Sequence, residues 1–225
     1  PVFLKGCPLA CQWCHSPEGQ SSQPQIMRSP AGERLAGRPY TAAELAALLN
    51  QQIPLLVANE GGLTFSGGEP LLQAEVAADV IDRLNNVHVL LDTSGFGAED
   101  DFRRLLTRVD LIYFDLKLID RGQHQRYTGG ANDQILRNLQ IMSDSGKPFT
   151  IRVPLVPGVT DTDENLTAIA HTITGLPGLQ MVELLPYNQV AGAKYRAAGL
   201  PFKPDYAETR EVNANTMSFL EAGIE

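Results

Sequence analysis

The sequence predicts an α/β fold in which six parallel strands with outer helices form a partial (β/α)6 barrel of the TIM type. Two observations predict it: short β-rich runs alternate with helix-like runs, and unusual polar residues follow nearly every β-rich run. Strands separated by helices form right-handed βαβ units and hence a parallel sheet. Six units are fewer than the eight of a closed barrel. A doubly wound open sheet with the same number of units is the structural alternative.

The predicted elements follow one another without a linker or an internal repeat. Strands are predicted at 1–6, 62–69, 87–95, 110–117, 149–158 and 181–187. Helices are predicted at 41–50, 76–84, 98–108, 133–145, 166–173 and 205–222, and a polar loop at 16–39. The first helix begins with a capping-box pattern, Thr41 followed by Glu44. We therefore expect one domain spanning residues 1–225.

Composition narrows the class of protein. Hydrophobic residues at 43% and charged residues at 20% of 225 are typical of a soluble globular chain. The formal charge of −8 argues against nucleic acid as a partner, because phosphate binding needs a basic surface. There is no apolar run near the ~20 residues of a membrane span. An odd number of closely spaced cysteines makes a disulfide framework unlikely, so we expect a protein of the reducing cytoplasm. Because the sequence starts at Pro1, we expect an upstream segment to be missing.

Polar residues cluster where the predicted strands end. They are Cys7, Glu69, Asp92 with Thr93, Asp115 with Lys117, and Asn188. The carboxyl ends of parallel strands share one face, where the loops build the active site of an α/β protein. The sequence therefore predicts that five distant segments converge at one site.

All three cysteines, Cys7, Cys11 and Cys14, lie within eight positions in a C-x-x-x-C-x-x-C pattern. Three thiolates can hold three irons of a 4Fe–4S cluster, which normally has four cysteine ligands, and so leave one iron open. Three alternatives remain at this point. Cys11 to His15 also spells the C-x-x-C-H signal of c-type haem, the three cysteines with His15 could hold zinc, and the cysteines could have no role.

A second motif is "SGGEP", residues 66–70, at the end of a predicted strand. It is typical of a tight turn followed by a helix, but Glu69 could also accept a hydrogen bond from an ammonium group. Asp115 and Lys117 are two positions apart and share a strand face. They could form a structural ion pair or, with Asp92, bind the amino and carboxylate groups of a zwitterion.

The cysteine pattern followed by the glycine–glutamate turn resembles the radical S-adenosylmethionine (SAM) superfamily. The segments "FLKGCPLACQWCHSPE", "LTFSGGEPLLQ", "LLDTSGF", "YFDLKLID", "HQRYTGGANDQILRNL", "RVPLVPGVTD" and "ELLPYN" resemble one branch of it, the glycyl-radical enzyme activating enzymes. The similarity runs in order along nearly the whole chain. It implies one 4Fe–4S cluster and SAM as cofactors.

The resemblance also implies roles for single residues. Cys7, Cys11 and Cys14 would ligate the cluster, and the amino and carboxylate groups of SAM would chelate its fourth iron. The residues that would bind SAM are Gly67, Gly68, Glu69 and Asp92 at the amine, Lys117 at the carboxylate, and Asp115, Arg152 and Asn188 nearby. A monovalent cation, Na⁺ or K⁺, would take Asp92, Thr93, Asp115 and the Tyr113 carbonyl as ligands.

The implied reaction is reductive cleavage of SAM to a 5′-deoxyadenosyl radical, which removes a hydrogen atom from a glycine of a partner glycyl-radical enzyme. Flavodoxin or ferredoxin would donate the electron to a monomeric activase, and loop 16–39 would border the open side of the barrel, where the partner's glycine enters. A radical SAM enzyme acting on a small molecule is the alternative.

The chain departs from the family pattern in three places. Asn188 replaces a family histidine, and the upstream D-G-P-G segment is absent from this sequence. Residues 16–61 contain no cysteine, so we expect no ferredoxin-like insert with extra clusters.

Overall fold

The central feature is a parallel sheet of six strands. The structure, a computed structural model, describes residues 1–213 and 215–224. The sheet strands are β1 (Val2–Leu4), β4 (Gly62–Gly67), β5 (His88–Thr93), β6 (Leu111–Asp115), β7 (Phe149–Leu155) and β8 (Leu179–Pro186). They pair in the order β1-β4-β5-β6-β7-β8, each parallel to the next. Because the order never reverses, the sheet is a partial barrel and the doubly wound alternative is wrong.

Helices follow the strands. They are α1 (Ala42–Asn50), α2 (Ile53–Ala58), α3 (Ala74–Asp82), α4 (Glu99–Leu106), α5 (Arg121–Thr128), α6 (Asp133–Asp144), α7 (Asp163–Ile173), α8 (Ala191–Ala197) and α9 (Met217–Glu221). The predicted capping box is confirmed: Thr41 accepts from the Glu44 amide, and the Glu44 carboxylate accepts from the Thr41 amide. Among the described residues, no helix is both long and apolar enough to cross a membrane.

Two sequence predictions about secondary structure are wrong. The predicted loop 16–39 contains an antiparallel hairpin, β2 (Gln25–Ser29) with β3 (Gly32–Ala36), fastened by a 2.8 Å ion pair between Arg28 and Glu33. The predicted helix 205–222 is helical only in α9; Ala214, which falls inside it, lies outside the described residues. Asn213, in the non-helical part of this range, donates through its amide to Asp161 (2.9 Å).

The core lies between the sheet and its helices. On β6 the side chains alternate: Ile112 and Phe114 are fully buried against the helices, whereas Tyr113 and Asp115 point to the other face and are half-buried. Strand register places Asp92 beside Tyr113, and Arg152 between Asp115 and Glu183. The face turned away from the helices therefore carries a row of polar side chains near the carboxyl ends of β5 to β8.

Candidate active site

The three cysteines lie on the loop that leaves β1, and none of them forms a disulfide. The Cys7 amide donates to the Gln20 carbonyl (3.0 Å), whereas the Ala10 and Gln12 amides donate to carbonyls at the end of α5, Thr128 (2.8 Å) and Tyr127 (3.0 Å). The loop is thus fixed on two sides through its main chain. Because the main chain alone makes these contacts, the three sulfur atoms remain available as ligands.

Without bound cofactors, the surroundings of the three thiols favour their protonated form. Burial raises the pKa of Cys7 to about 11 and of Cys11 to about 12, and also raises the pKa of Cys14. The Lys117 ammonium opposes this shift at all three cysteines. Since thiolates are the metal-binding form, iron itself would have to displace the protons. Three free thiols, all within range of the charge of the buried Lys117, are a donor set suited to a cluster.

The glycine–glutamate turn packs directly under this loop. Gly68 donates to the Leu4 carbonyl (2.8 Å), and Glu69 donates through its amide to the Gly6 carbonyl (2.7 Å). A Cβ on Gly68 would lie 2.1 Å from the Gly6 oxygen, and one on Gly67, at φ +115°, would lie 2.3 Å from the Leu4 oxygen. Both glycines are therefore required by the close approach of two main-chain segments.

The Glu69 side chain is fully buried and engaged by the protein. Its carboxylate accepts from the Thr93 hydroxyl (2.6 Å), the Ser94 hydroxyl (2.5 Å), the Ser94 amide (2.9 Å) and the Leu71 amide (3.1 Å). Burial raises the pKa of Glu69, and these hydrogen bonds oppose the increase. Glu69 thus joins the end of β4 to the end of β5, a link that the motif alone did not reveal.

Asp115 and Lys117 form an ion pair, one of the two arrangements that the sequence left open. Lys117 Nζ lies 3.1 Å from Asp115 Oδ2, and Lys117 is only 7% exposed. Burial is the largest single influence and lowers the pKa of Lys117. The charges of Asp115, Cys11 and Glu69 and the hydrogen bond to Asp115 together outweigh burial, so the net shift is upward. The second oxygen, Asp115 Oδ1, is buried and has no hydrogen-bond partner among the described residues. A buried carboxylate oxygen without a partner is costly, so it is available to a cation or an ammonium group.

Asp92 belongs to a second charged group on the same face of the sheet. It accepts from Ser66 (2.7 Å) and from Arg152 Nη1 (3.0 Å). Burial and the neighbouring Asp115 charge raise the pKa of Asp92. Arg152 also lies 3.0 Å from Glu183 Oε2 and covers the Tyr113 ring at 5.3 Å. Glu183 was not predicted from the sequence to be a site residue. Its position in "MVELLPY", on the inward side of the strand, was the signal that could have indicated it.

The remaining predicted residues lie at the same end of the sheet but make other contacts. Thr93 is buried; its hydroxyl donates to Glu69 and accepts from the Gly95 amide (2.9 Å). Asn188 is exposed after β8, and its side chain accepts from the Val190 amide (3.0 Å). Among residues 1–213 and 215–224, no three histidine, cysteine or carboxylate side chains are arranged to hold a single metal ion.

Comparison with known proteins identifies the family. A family model described as the radical SAM superfamily matches residues 2–179. The chain is 31% identical to the trans-4-hydroxy-L-proline dehydratase activating enzyme of Clostridioides difficile, covering 86% of this chain and 80% of the relative. It is 33% identical to a pyruvate formate-lyase-activating enzyme of Staphylococcus epidermidis, covering 92% and 81%.

Solved structures agree with these relatives. A crystal structure of a domain of a pyruvate-formate lyase-activating enzyme from Bacteroides vulgatus is 26% identical and covers 73% of this chain and 96% of that domain, with a TM-score of 0.59. The superfamily implies a 4Fe–4S cluster and SAM as cofactors, and the three-cysteine loop supplies a matching donor set. The chain therefore belongs to the radical SAM superfamily and, within it, to the activating enzymes that these relatives represent.

Proposed function

We propose that the chain is a radical SAM activase, which cleaves SAM reductively and removes a hydrogen atom from a glycine of a partner glycyl-radical enzyme. One observation carries the proposal: the loop with three free thiols lies within range of the charges of the buried Lys117–Asp115 pair, in which one carboxylate oxygen has no hydrogen-bond partner in the part of the chain that the structure describes. The names of the relatives, which are activating enzymes, support the choice of a protein substrate.

Cys7, Cys11 and Cys14 would hold the single cluster, and Lys117 would offset part of its negative charge. When bound, the cluster and SAM together supply the one-electron cleavage that yields a hydrogen-abstracting radical. The main-chain ties of the cysteine loop to Gln20, Tyr127 and Thr128 keep the three sulfurs in place before the cofactors bind. Flavodoxin or ferredoxin would supply the electron.

Asp115 Oδ1 is the free acceptor for the amine of SAM or for a monovalent cation beside it. Asp92 on the adjoining strand β5 and the Tyr113 carbonyl on β6, the strand of Asp115, would complete the cation's ligands with Thr93. The Gly67–Gly68 main chain and Lys117 would contact the methionine end of SAM, and Glu69 would hold this turn in position from below. Arg152, tied to Asp92, and Asn188 would face the nucleoside part.

The partner's glycine would enter where the barrel is open. The sheet ends at β1 on one side and at β8 on the other. A cavity of about 280 Å³ lies at the β1 edge of the sheet. It is lined by Phe3 of β1, Leu35 of the hairpin, Gly67 of the turn and Lys194 of α8. A closed ring of strands would cover this entrance, so the incomplete barrel suits a macromolecular substrate.

The test is formation of a glycyl radical on a second protein. The chain is reconstituted with iron and sulfide without oxygen, reduced, and mixed with SAM and either pyruvate formate-lyase or trans-4-hydroxy-L-proline dehydratase. We expect an EPR signal of a glycyl radical on one of these two enzymes, and none with Cys11→Ala. Formation of 5′-deoxyadenosine with turnover of a free metabolite, and no protein radical, would contradict the proposal and favour the small-molecule alternative.

A further inference from the structure

A polar pair outside the residues assigned so far lies against the cysteine loop. Tyr195 of α8 is 8% exposed, and its ring packs on Phe202 with 5.0 Å between the ring centroids. Its hydroxyl oxygen accepts a hydrogen bond from Gln20 Nε2 (3.3 Å). Among the described residues, the hydroxyl proton itself has no acceptor in the protein.

Gln20 connects this tyrosine to two of the cysteines. Its carbonyl accepts from the Cys7 amide (3.0 Å), and its side-chain amide lies close enough to Cys14 to oppose the rise in the pKa of that thiol. A salt bridge between Lys194 and Glu18 (3.2 Å) fastens α8 to the same stretch of chain. Gln20 and Tyr195 are thus fixed beside the cysteine loop, through the Gln20 main chain on one side and α8 on the other.

The phenol is positioned to remain a hydrogen-bond donor. Burial, the largest influence, raises the pKa of Tyr195 to about 12. The pair therefore offers donor groups, and no negative charge, to the sulfur atoms at this corner of the site. Hydrogen bonds to cluster sulfurs are one of the factors that set the reduction potential of an iron–sulfur centre.

We propose that Gln20 and Tyr195 donate hydrogen bonds to the sulfur atoms on the Cys14 side of the bound cluster and so raise its reduction potential. The inference rests on the proposed function only in requiring that the chain binds a cluster. Reduction adds one electron and makes the sulfurs stronger acceptors, so donors stabilise the reduced form more than the oxidised form. The two residues act through the cluster and do not contact the substrate.

The experiment is a potentiometric titration of the reconstituted holoenzyme followed by EPR, without SAM or partner protein. Tyr195→Phe keeps the ring that packs on Phe202 and removes only the hydroxyl. We expect the equilibrium constant for reduction to fall about tenfold, which is about 59 mV more negative for one electron. Gln20→Leu should shift the potential in the same direction, and the double variant by less than the sum, because the residues form one chain of hydrogen bonds.

Tyr187→Phe is the matched control. It removes a phenol from the neighbouring apolar cluster to which Cys11 also belongs, but its hydroxyl donates to Glu208 (2.6 Å). Its potential should equal that of the unsubstituted chain. Unchanged potentials in both Tyr195→Phe and Gln20→Leu would overturn the proposal, and so would loss of cluster uptake in both, since the pair would then be structural. A colourless unsubstituted chain would instead refute the proposed function itself.

Discussion

Replacing Glu69 with glutamine tests whether its carboxylate joins β4 to β5. Each carboxylate oxygen accepts one hydroxyl and one main-chain amide: Thr93 and Leu71 at Oε1, and Ser94 at Oε2. A hydroxyl can rotate to accept from the new amide group, but a main-chain N–H cannot. Whichever oxygen becomes nitrogen, one buried N–H loses its acceptor.

The expected cost follows from this geometry. An unsatisfied buried N–H costs about 1–3 kcal/mol, and the remaining hydrogen bonds weaken from charged to neutral. Removing a buried charge recovers part of this loss. We therefore expect Glu69→Gln to lower the free energy of unfolding by about 2–3 kcal/mol, which for a chain of this length lowers the melting temperature by roughly 4–12 °C.

The assay is urea unfolding followed by circular dichroism, with the same glutamine substitution at exposed Glu211 as the control. The control should change stability by less than about 0.5 kcal/mol. A urea midpoint for Glu69→Gln that coincides with that of Glu211→Gln would contradict this expectation, because it would show that the four hydrogen bonds do not depend on the charge of Glu69.

Two further predictions concern the residues around Glu69. Asp115→Asn should retain iron and sulfide but weaken SAM binding about tenfold or more, measured by equilibrium binding, because a charged acceptor beside Lys117 is lost; unchanged affinity would remove Asp115 from the SAM site. Gly68→Ala should destabilise the chain by about 1–3 kcal/mol in thermal unfolding, because its Cβ would lie 2.1 Å from the Gly6 oxygen. Gly122→Ala, whose Cβ meets only a side-chain oxygen at 3.3 Å, should change stability much less, and equal effects would contradict the packing argument.

The six strands and the convergence of polar side chains at the carboxyl ends of the sheet could be predicted because both depend on simple rules. Buried strands such as β6 alternate apolar and polar residues, and the ends of parallel strands share one face. These rules located Cys7, Asp92, Asp115 and Lys117 without any knowledge of tertiary contacts.

What could not be predicted depends on contacts between distant segments or lacks an apolar pattern. Helix α5 has the polar sequence RGQHQRYT and is defined by its ends, the Asp120 cap and Gly129 at φ +81°. Asn213, within the predicted last helix, instead donates its amide to Asp161, more than fifty residues away. The tie of Arg152 to both Asp92 and Glu183 follows from strand register, which pattern alone does not provide.

The EPR spectrum of the reduced, anaerobically reconstituted chain, with and without SAM, tests most directly whether three cysteines leave one iron open. We expect about four irons and four sulfides per chain and a spectrum that changes when SAM is added, because the fourth iron has no protein ligand. A chain that takes up no cluster, or a cluster spectrum that SAM leaves unaltered, would contradict the claim that three cysteines leave one iron open to the cofactor.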